Sequence, residues 1–237
     1  LSGANNNETS FATVTNLIIN NACIEKKSGH TPTVTGTIKM GILAADLTQN
    51  AEISNIIIRN SIITDNEEAY TLKNKLRIGG IVGYLDAYKS FRIYNISADT
   101  RINMLSAATL NGVDKQASVS GGIGAASNLQ TQGTVLPTNI YVHSTQIKTN
   151  ANSAKCIRGS VVSFIGNDNF SNSVKGTWYF TPDNKVSGTN TYNYGTEKEL
   201  NSYGKTFTEI ANTYINDNGL DRKTWAYSDT NQEFSFS

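Results

Sequence analysis

A short glycine-led apolar segment returns along this chain at intervals close to forty residues. Gly41-Ile42-Leu43-Ala44 comes back as Gly80-Ile81-Val82-Gly83, as Gly122-Ile123-Gly124-Ala125 and, more loosely, as Gly159-Ser160-Val161-Val162. Each copy is followed fourteen to seventeen residues later by a second segment. These are Asn55-Ile56-Ile57-Ile58, Asn95-Ile96-Ser97-Ala98, Asn139-Ile140-Tyr141-Val142 and a degraded Ser173-Val174-Lys175-Gly176. An incomplete copy opens the chain, with Gly3 thirteen residues ahead of Asn16-Leu17-Ile18-Ile19. A fixed period of this length means one supersecondary unit stacked on itself.

Within each copy the side-chain period is two. Leu17 and Ile19, Ile56 and Ile58, Ile96 and Ala98, and Ile140 and Val142 alternate with other residues, as in strands with one buried face. A further apolar position follows (Ile24, Ile63, Ile102, Ile147), and a third strand leads into the glycine, as in Lys75-Leu76-Arg77-Ile78. Three short strands joined by turns suit one coil of a right-handed parallel β-helix, so the expected fold is an all-β solenoid of about five irregular coils. A plain coil needs only roughly 20 to 26 residues, and repeat insertions map to loops on one face. The surplus falls each time in Glu25 to Pro32, Asp65 to Asn74, Leu105 to Lys115 and Lys148 to Lys155, four loops expected to line one edge. Two shorter coils per period is the alternative. Stacked Asn16, Asn55, Asn95 and Asn139 are expected to form an amide ladder at equivalent turns.

The repeat dissolves from Trp178, which divides the chain into a repeat region, 1–180, and a capping region, 181–237. Thr206-Phe207-Thr208-Glu209 reads as a capping box. Phe207, Ile210, Ala211, Tyr214 and Ile215 follow at helical spacing, and Asn218-Gly219 is a stop, giving a helix over about 206–218. Solenoid ends need covering, and this helix with the tail through Trp225, Tyr227, Phe234 and Phe236 is expected to cover one.

Composition narrows the function classes. Hydrophobic residues make up 38% and charged residues 16%, low for an enzyme, while the formal charge of +1 leaves no basic footprint for nucleic acid. No apolar run is long enough for a membrane helix. The opening at Leu1, with no charged and apolar leader, reads as a mature chain or an excerpt of a longer multidomain one. Cys23 and Cys156 would lie three rungs apart, roughly 14 Å at strand spacing, so two free and mostly buried thiols are expected.

Gly79-Gly80-Ile81-Val82-Gly83, with Asn95-Ile96 fifteen residues behind Gly80, resembles the GLUG-type repeat of secreted and cell-surface bacterial proteins. The Asn-rich character and Trp-containing C-terminal stretch are similar to right-handed β-helix proteins of gut Bacteroidetes. The likeness covers roughly residues 1 to 180. It implies an exported protein, extracellular or at the outer-membrane surface. Some GLUG-bearing proteins are peptidases that cleave immunoglobulin A, whose zinc site needs a His-Glu-x-x-His helix. The only histidines here, His30 and His143, stand far apart and unaccompanied.

Among candidate sites, Asp46, Asp86, Asn128 and Asn167 recur after the glycine segments, and turn-making accounts for them better than calcium. His143 lies in a strand opposite Ile140 and Val142 and is expected to face solvent without a partner. Trp178, Tyr179, Tyr192 and Tyr194 crowd the place where the repeat ends. They are the candidate glycan platform, against the simpler reading that they plug the core. Tyr179 should face opposite Trp178 and Phe180. The resulting expectation is a monomeric, cofactor-free, non-catalytic adhesion or glycan-binding module, with polysaccharide or host glycan as partner and no nucleic acid. A polysaccharide-cleaving enzyme or a plain spacer are the alternatives.

Overall fold

The computed structural model describes residues 11–26, 29, 33–34, 36–66, 71–72, 75–85, 91–104, 109–110, 117–126, 137–143, 146–149, 156–163, 177–187 and 191–237. The first unit holds β1 (Ala12–Asn20), β2 (Cys23–Glu25), β3 (Thr33–Val34), β4 (Ile38–Gly41) and β5 (Ala44–Leu47). The second holds β6 (Ala51–Thr64), β7 (Thr71–Leu72), β8 (Leu76–Gly79) and β9 (Val82–Leu85). The third repeats it with β10 (Phe91–Met104), β11 (Thr109–Leu110), β12 (Ala117–Ser120) and β13 (Ile123–Ala126). The fourth has β14 (Thr138–Val142), β15 (Ile147–Thr149) and β16 (Cys156–Gly159). After β17 (Trp178–Phe180) come a 3-10 turn at Pro182–Asn184, β18 (Thr191–Tyr192), β19 (Thr196–Glu197), α1 (Leu200–Asp217), β20 (Trp225–Ser228) and β21 (Glu233–Phe236).

Equivalent strands pair in parallel. The main sheet runs β1-β6-β10-β14-β17-β19, with β2 on β6 and β15 on β10. Three further parallel sheets run β11-β7-β3, β18-β16-β12-β8-β4 and β13-β9-β5. The second and third units each visit these four sheets once and in the same order, so one period is one passage, not two. Four sheets, rather than three strands per unit, correct the sequence expectation. The additional sheet consists of two-residue strands: β7 and β11 lie inside stretches read as loops and are too short for periodicity to reveal, whereas β3 opens Thr33 to Ile38, the stretch read as one strand leading to the glycine. Most of those insertions, with Asp86, Asn128, Asn167, His30 and Ser173 to Gly176, lie outside the described residues.

Register follows the aliphatic residues. Leu17, Ile56, Ile96, Ile140 and Trp178 stand opposite one another in successive strands. Ile56, Ile96, Ile140 and Trp178 are all wholly buried. Each such side chain contributes about 1.5–3 kcal/mol on leaving water, and a slip of one residue would turn the row outward. The unit-one end of the row is open: Leu17 and Ile18 are the large hydrophobics left exposed among the described residues.

Asparagines carry the bends within the long strands. Asn16, Asn55, Asn95 and Asn139 have φ of 55°, 52°, 52° and 53°, a left-handed conformation that Asn tolerates better than other side chains. Each uses one residue without switching faces, so Ile53 and Ile56, three apart, both enter the same core cluster. Their amides form the expected ladder. Asn55 Nδ2 donates to Asn16 Oδ1 (3.3 Å), Asn95 Nδ2 to Asn55 Oδ1 (3.3 Å) and Asn139 Nδ2 to Asn95 Oδ1 (3.0 Å). A second pair stands at the next bend, where Asn60 Nδ2 donates to Asn21 Oδ1 (2.7 Å).

The C-terminal segment takes an unexpected place. It lies along the outer face of the main sheet, where Ile57, Tyr141 and Tyr179 pack with Phe207, Ala211, Ile215, Trp225 and Phe234. Its hydrogen bonds reach from the first unit onward. Lys223 N donates to Asn16 Oδ1 (3.0 Å), Asn55 Nδ2 to Lys223 O (2.8 Å), Trp225 Nε1 to Asn55 Oδ1 (3.0 Å) and Asn95 Nδ2 to Ala211 O (3.1 Å). Arg222 pairs with Glu52 and donates to Ser54 Oγ (3.1 Å). The segment is therefore a flank layer over several units, and the apolar end is filled instead by Trp178 and Phe180, which belong to the main core.

The helix also starts earlier than the capping box implied. It spans Leu200–Asp217 with Glu199 as N-cap, so Thr206 lies in its interior. Within the added turns stands Gly204: a Cβ there would lie 2.3 Å from Tyr227 Cζ, so the glycine lets that ring lie against the helix. The stop is as expected, with Gly219 at φ 59° and Leu220 N donating to Ile215 O (3.0 Å). Neither cysteine is in a disulfide; Cys156 is buried, but Cys23 is exposed because β2 lies at the uncovered first unit.

Candidate functional site

The four aromatics singled out from the sequence separate into two pairs. Strand alternation sends Trp178 and Phe180 inward and Tyr179 outward. Trp178 is wholly buried, and its Nε1 donates to Pro137 O (2.6 Å). Tyr179 faces the opposite side as expected, but that side is covered by α1. Its ring lies 5.0 Å from Tyr203 and edge-on to Tyr141 at 6.4 Å. Neither Trp178 nor Tyr179 keeps a face on which a sugar ring could rest.

Tyr192 and Tyr194 are half-buried, and their rings lie nearly parallel, 10° apart with centroids at 5.5 Å. Tyr192 ends β18, pairing with Gly159, while Tyr194 packs against the main core. Asn193 between them is clamped. It accepts from Val186 N (3.0 Å), donates to Val186 O (2.9 Å) and accepts from Ser160 Oγ. The clamp fixes the backbone on either side and hence the direction of both rings. Chemically the pair offers a rigid aromatic edge beside polar groups, suited to the apolar C–H face of a pyranose.

His143 is not the isolated, solvent-facing residue expected. Its Nε2 lies 2.7 Å from Ser97 Oγ, and its ring is 5.4 Å from Tyr141 and 5.6 Å from Phe234. Removal from water pushes the imidazole down to about 4, against the opposing pull of the Asp99 carboxylate. Ser, His and Asp thus stand close together, yet Ser97 is wholly buried in the sheet under the flank layer. A nucleophile needs access to a reacting carbon, so this trio is packing rather than catalysis. The covering hairpin, β20 with β21, comes about ninety residues downstream, and nothing near His143 in sequence signals it.

A pH dependence follows. Unfolded, His143 takes a proton near pH 6.5; folded, it resists until about 4. Protonation therefore favours the unfolded chain. Stability attributable to this residue is complete above about pH 7, falls as pH drops from 6.5 towards 4, and levels off below. Discounted for the partial exposure of the ring, the loss is about 2 kcal/mol. Urea midpoints at pH 7 and pH 4.5 should differ more for the native sequence than for His143→Gln; equal differences would refute the assignment.

The remaining sequence candidates behave structurally. Asp46, the described member of its series, forms an ion pair with Lys39, whose Nζ lies 4.5 Å over the Tyr84 ring. Among the described residues no group of three or more His, Cys, Asp or Glu side chains could hold a metal ion. Among the described residues no helix is long and apolar enough to cross a membrane. Compared with protein-family models, with curated proteins and with solved structures, the chain matches none.

Proposed function

We propose that this chain is a right-handed parallel β-helix of the GLUG-repeat kind, exported to the cell exterior or the outer-membrane surface. There it acts as a non-catalytic adhesion or glycan-binding module. One observation carries the reading: the anchors of the four sequence insertions are in register. Before each insertion Ile24, Ile63, Ile102 and Ile147 stand opposite one another, and after it Ile38, Leu76, Ala117 and Cys156 do. Loops tethered at both ends to stacked positions leave from one side, at about 4.8 Å per rung. Repeated weak contacts from such a row add as avidity when the ligand is itself a repeating polymer. The Tyr192–Tyr194 pair supplies an aromatic contact at the end of the row.

Retention of the folded protein on immobilised host and plant polysaccharides tests this. Binding to at least one polymer is expected, weakened about threefold to tenfold by Tyr192→Ala. No retention on any of them overturns glycan recognition. Release of new reducing ends from a bound polymer would overturn the non-catalytic part and favour a cleaving enzyme.

A further inference from the structure

One of the inward rows ends on a charge. In the sheet β18-β16-β12-β8-β4, Met40, Ile78, Val119 and Arg158 stand opposite one another in successive strands. Met40, Ile78 and Val119 pack in one core cluster with Cys156, which lies two residues before Arg158 and so on the same face of β16. Alternation therefore turns Arg158 toward the interior, at the last place before the apolar row runs out. The residue is half-buried, and its Nε is shut off from water without a hydrogen-bond partner. Arg59 Nε is in the same condition, but the other nitrogens of Arg59 hold Phe234 O and Glu233. Ion pairs among the described residues engage Arg59, Arg92 and Arg222 and leave Arg158 out. A charge drawn out of water without a counter-ion is costly, and a guanidinium cannot relieve that cost by giving up its proton. An anion brought to Arg158 recovers the loss.

The neighbouring strand narrows what carries the anion. β18 pairs with β16, with Thr191 opposite Arg158 and Tyr192 opposite Gly159, one strand spacing of about 4.8 Å away. The half-buried, nearly parallel rings of Tyr192 and Tyr194 follow directly, with Tyr194 packed against the main core. Cation and aromatic pair thus share the C-terminal end of the solenoid interior. The planar guanidinium takes a carboxylate or a sulfate ester through two parallel hydrogen bonds, and its one uncompensated charge matches one negative charge. The rings take an apolar C–H face.

We infer that this end of the solenoid is a subsite for an acidic saccharide, in which Arg158 pairs with the single negative group of the sugar while Tyr192 carries its ring. This rests on the glycan-binding reading and names the class of glycan that the Tyr192–Tyr194 pair receives.

Galacturonate, glucuronate and a sulfated galactose are the probes, with galactose as the neutral counterpart and acetate as the bare carboxylate. Each is titrated into the isotopically labelled full chain at millimolar concentration. At least one acidic sugar should shift the Arg158 Nε–H signal and bind at least about tenfold more tightly than galactose. Arg158→Gln should abolish that preference without lowering the melting temperature, because the guanidinium it removes leaves no protein carboxylate behind. Arg158→Lys, which keeps the charge but loses the fork, should weaken acidic-sugar binding about threefold. A response to the sulfated galactose alone supports the subsite and identifies its anion as a sulfate ester. Galactose binding as tightly as the acidic sugars, or acidic sugars binding Arg158→Gln as tightly as the native chain, overturns the acidic assignment and leaves the glycan reading standing. Acetate binding as tightly as the uronates overturns the saccharide assignment. Binding of none of the probes overturns the subsite, while the polymer retention assay judges the wider reading separately.

Discussion

Asn95→Ala is expected to destabilise the protein by about 4 kcal/mol, seen as a lower urea midpoint with unchanged slope. The side chain is wholly buried and makes three bonds: to Asn55 Oδ1, to Ala211 O and from Asn139 Nδ2. Truncation leaves the Asn139 amide and the Ala211 carbonyl without those partners, each costing about 1–3 kcal/mol. The backbone at φ 52° adds about 1 kcal/mol for an alanine. Asn95→Gly should recover that last part only. Asn95→Asp should be worst, because a carboxylate would be aimed at two oxygens with no proton to give. Asn16→Ala, at the half-buried end of the ladder, should cost about 1 kcal/mol. If Asn95→Ala proved no worse than Asn16→Ala, the ladder would be decoration rather than support.

Trp178→Ala should cost about 4 kcal/mol, in the range for removing a large buried aromatic. Its indole closes the row begun by Leu17 and carried through Ile56, Ile96 and Ile140. It lies in one cluster with Val142, Val161 and Phe180, so truncation opens a cavity at the end of the core and orphans the carbonyl of Pro137. Tyr192→Ala, at a half-buried position, should cost only about 1 kcal/mol. This contrast separates a residue that fills the core from one free to meet a ligand. A thermal or urea comparison giving similar losses for the two would contradict the division of the aromatic cluster drawn here.

The repeat and its register were readable because they rest on short-range pattern. Glycine spacing marked the turns, alternation marked the inward rows, and Asn16, Asn55, Asn95 and Asn139 announced their ladder by position alone. The flank layer was not readable. Its defining bonds join Asn55 to Lys223 and Asn95 to Ala211, residues 168 and 116 positions apart. No local spacing encodes such a contact. That gap explains the errors at the candidate site. Alternation correctly turned Tyr179 away from Trp178 but could not say that α1 waits on that side. His143 likewise pointed outward from the core, into a hairpin rather than into water. The two-residue strands β7 and β11 escaped because two residues show no period.

The C-terminal segment has a further consequence for how the molecule comes apart. An array bound only through nearest neighbours can lose its terminal members singly, like beads from an unknotted string. Here a strap fastened at Asn16 on one side and seated on Tyr141 and Tyr179 on the other ties distant members together. Loosening either extreme then means peeling the strap as well, which turns gradual fraying into a shared, all-or-none event.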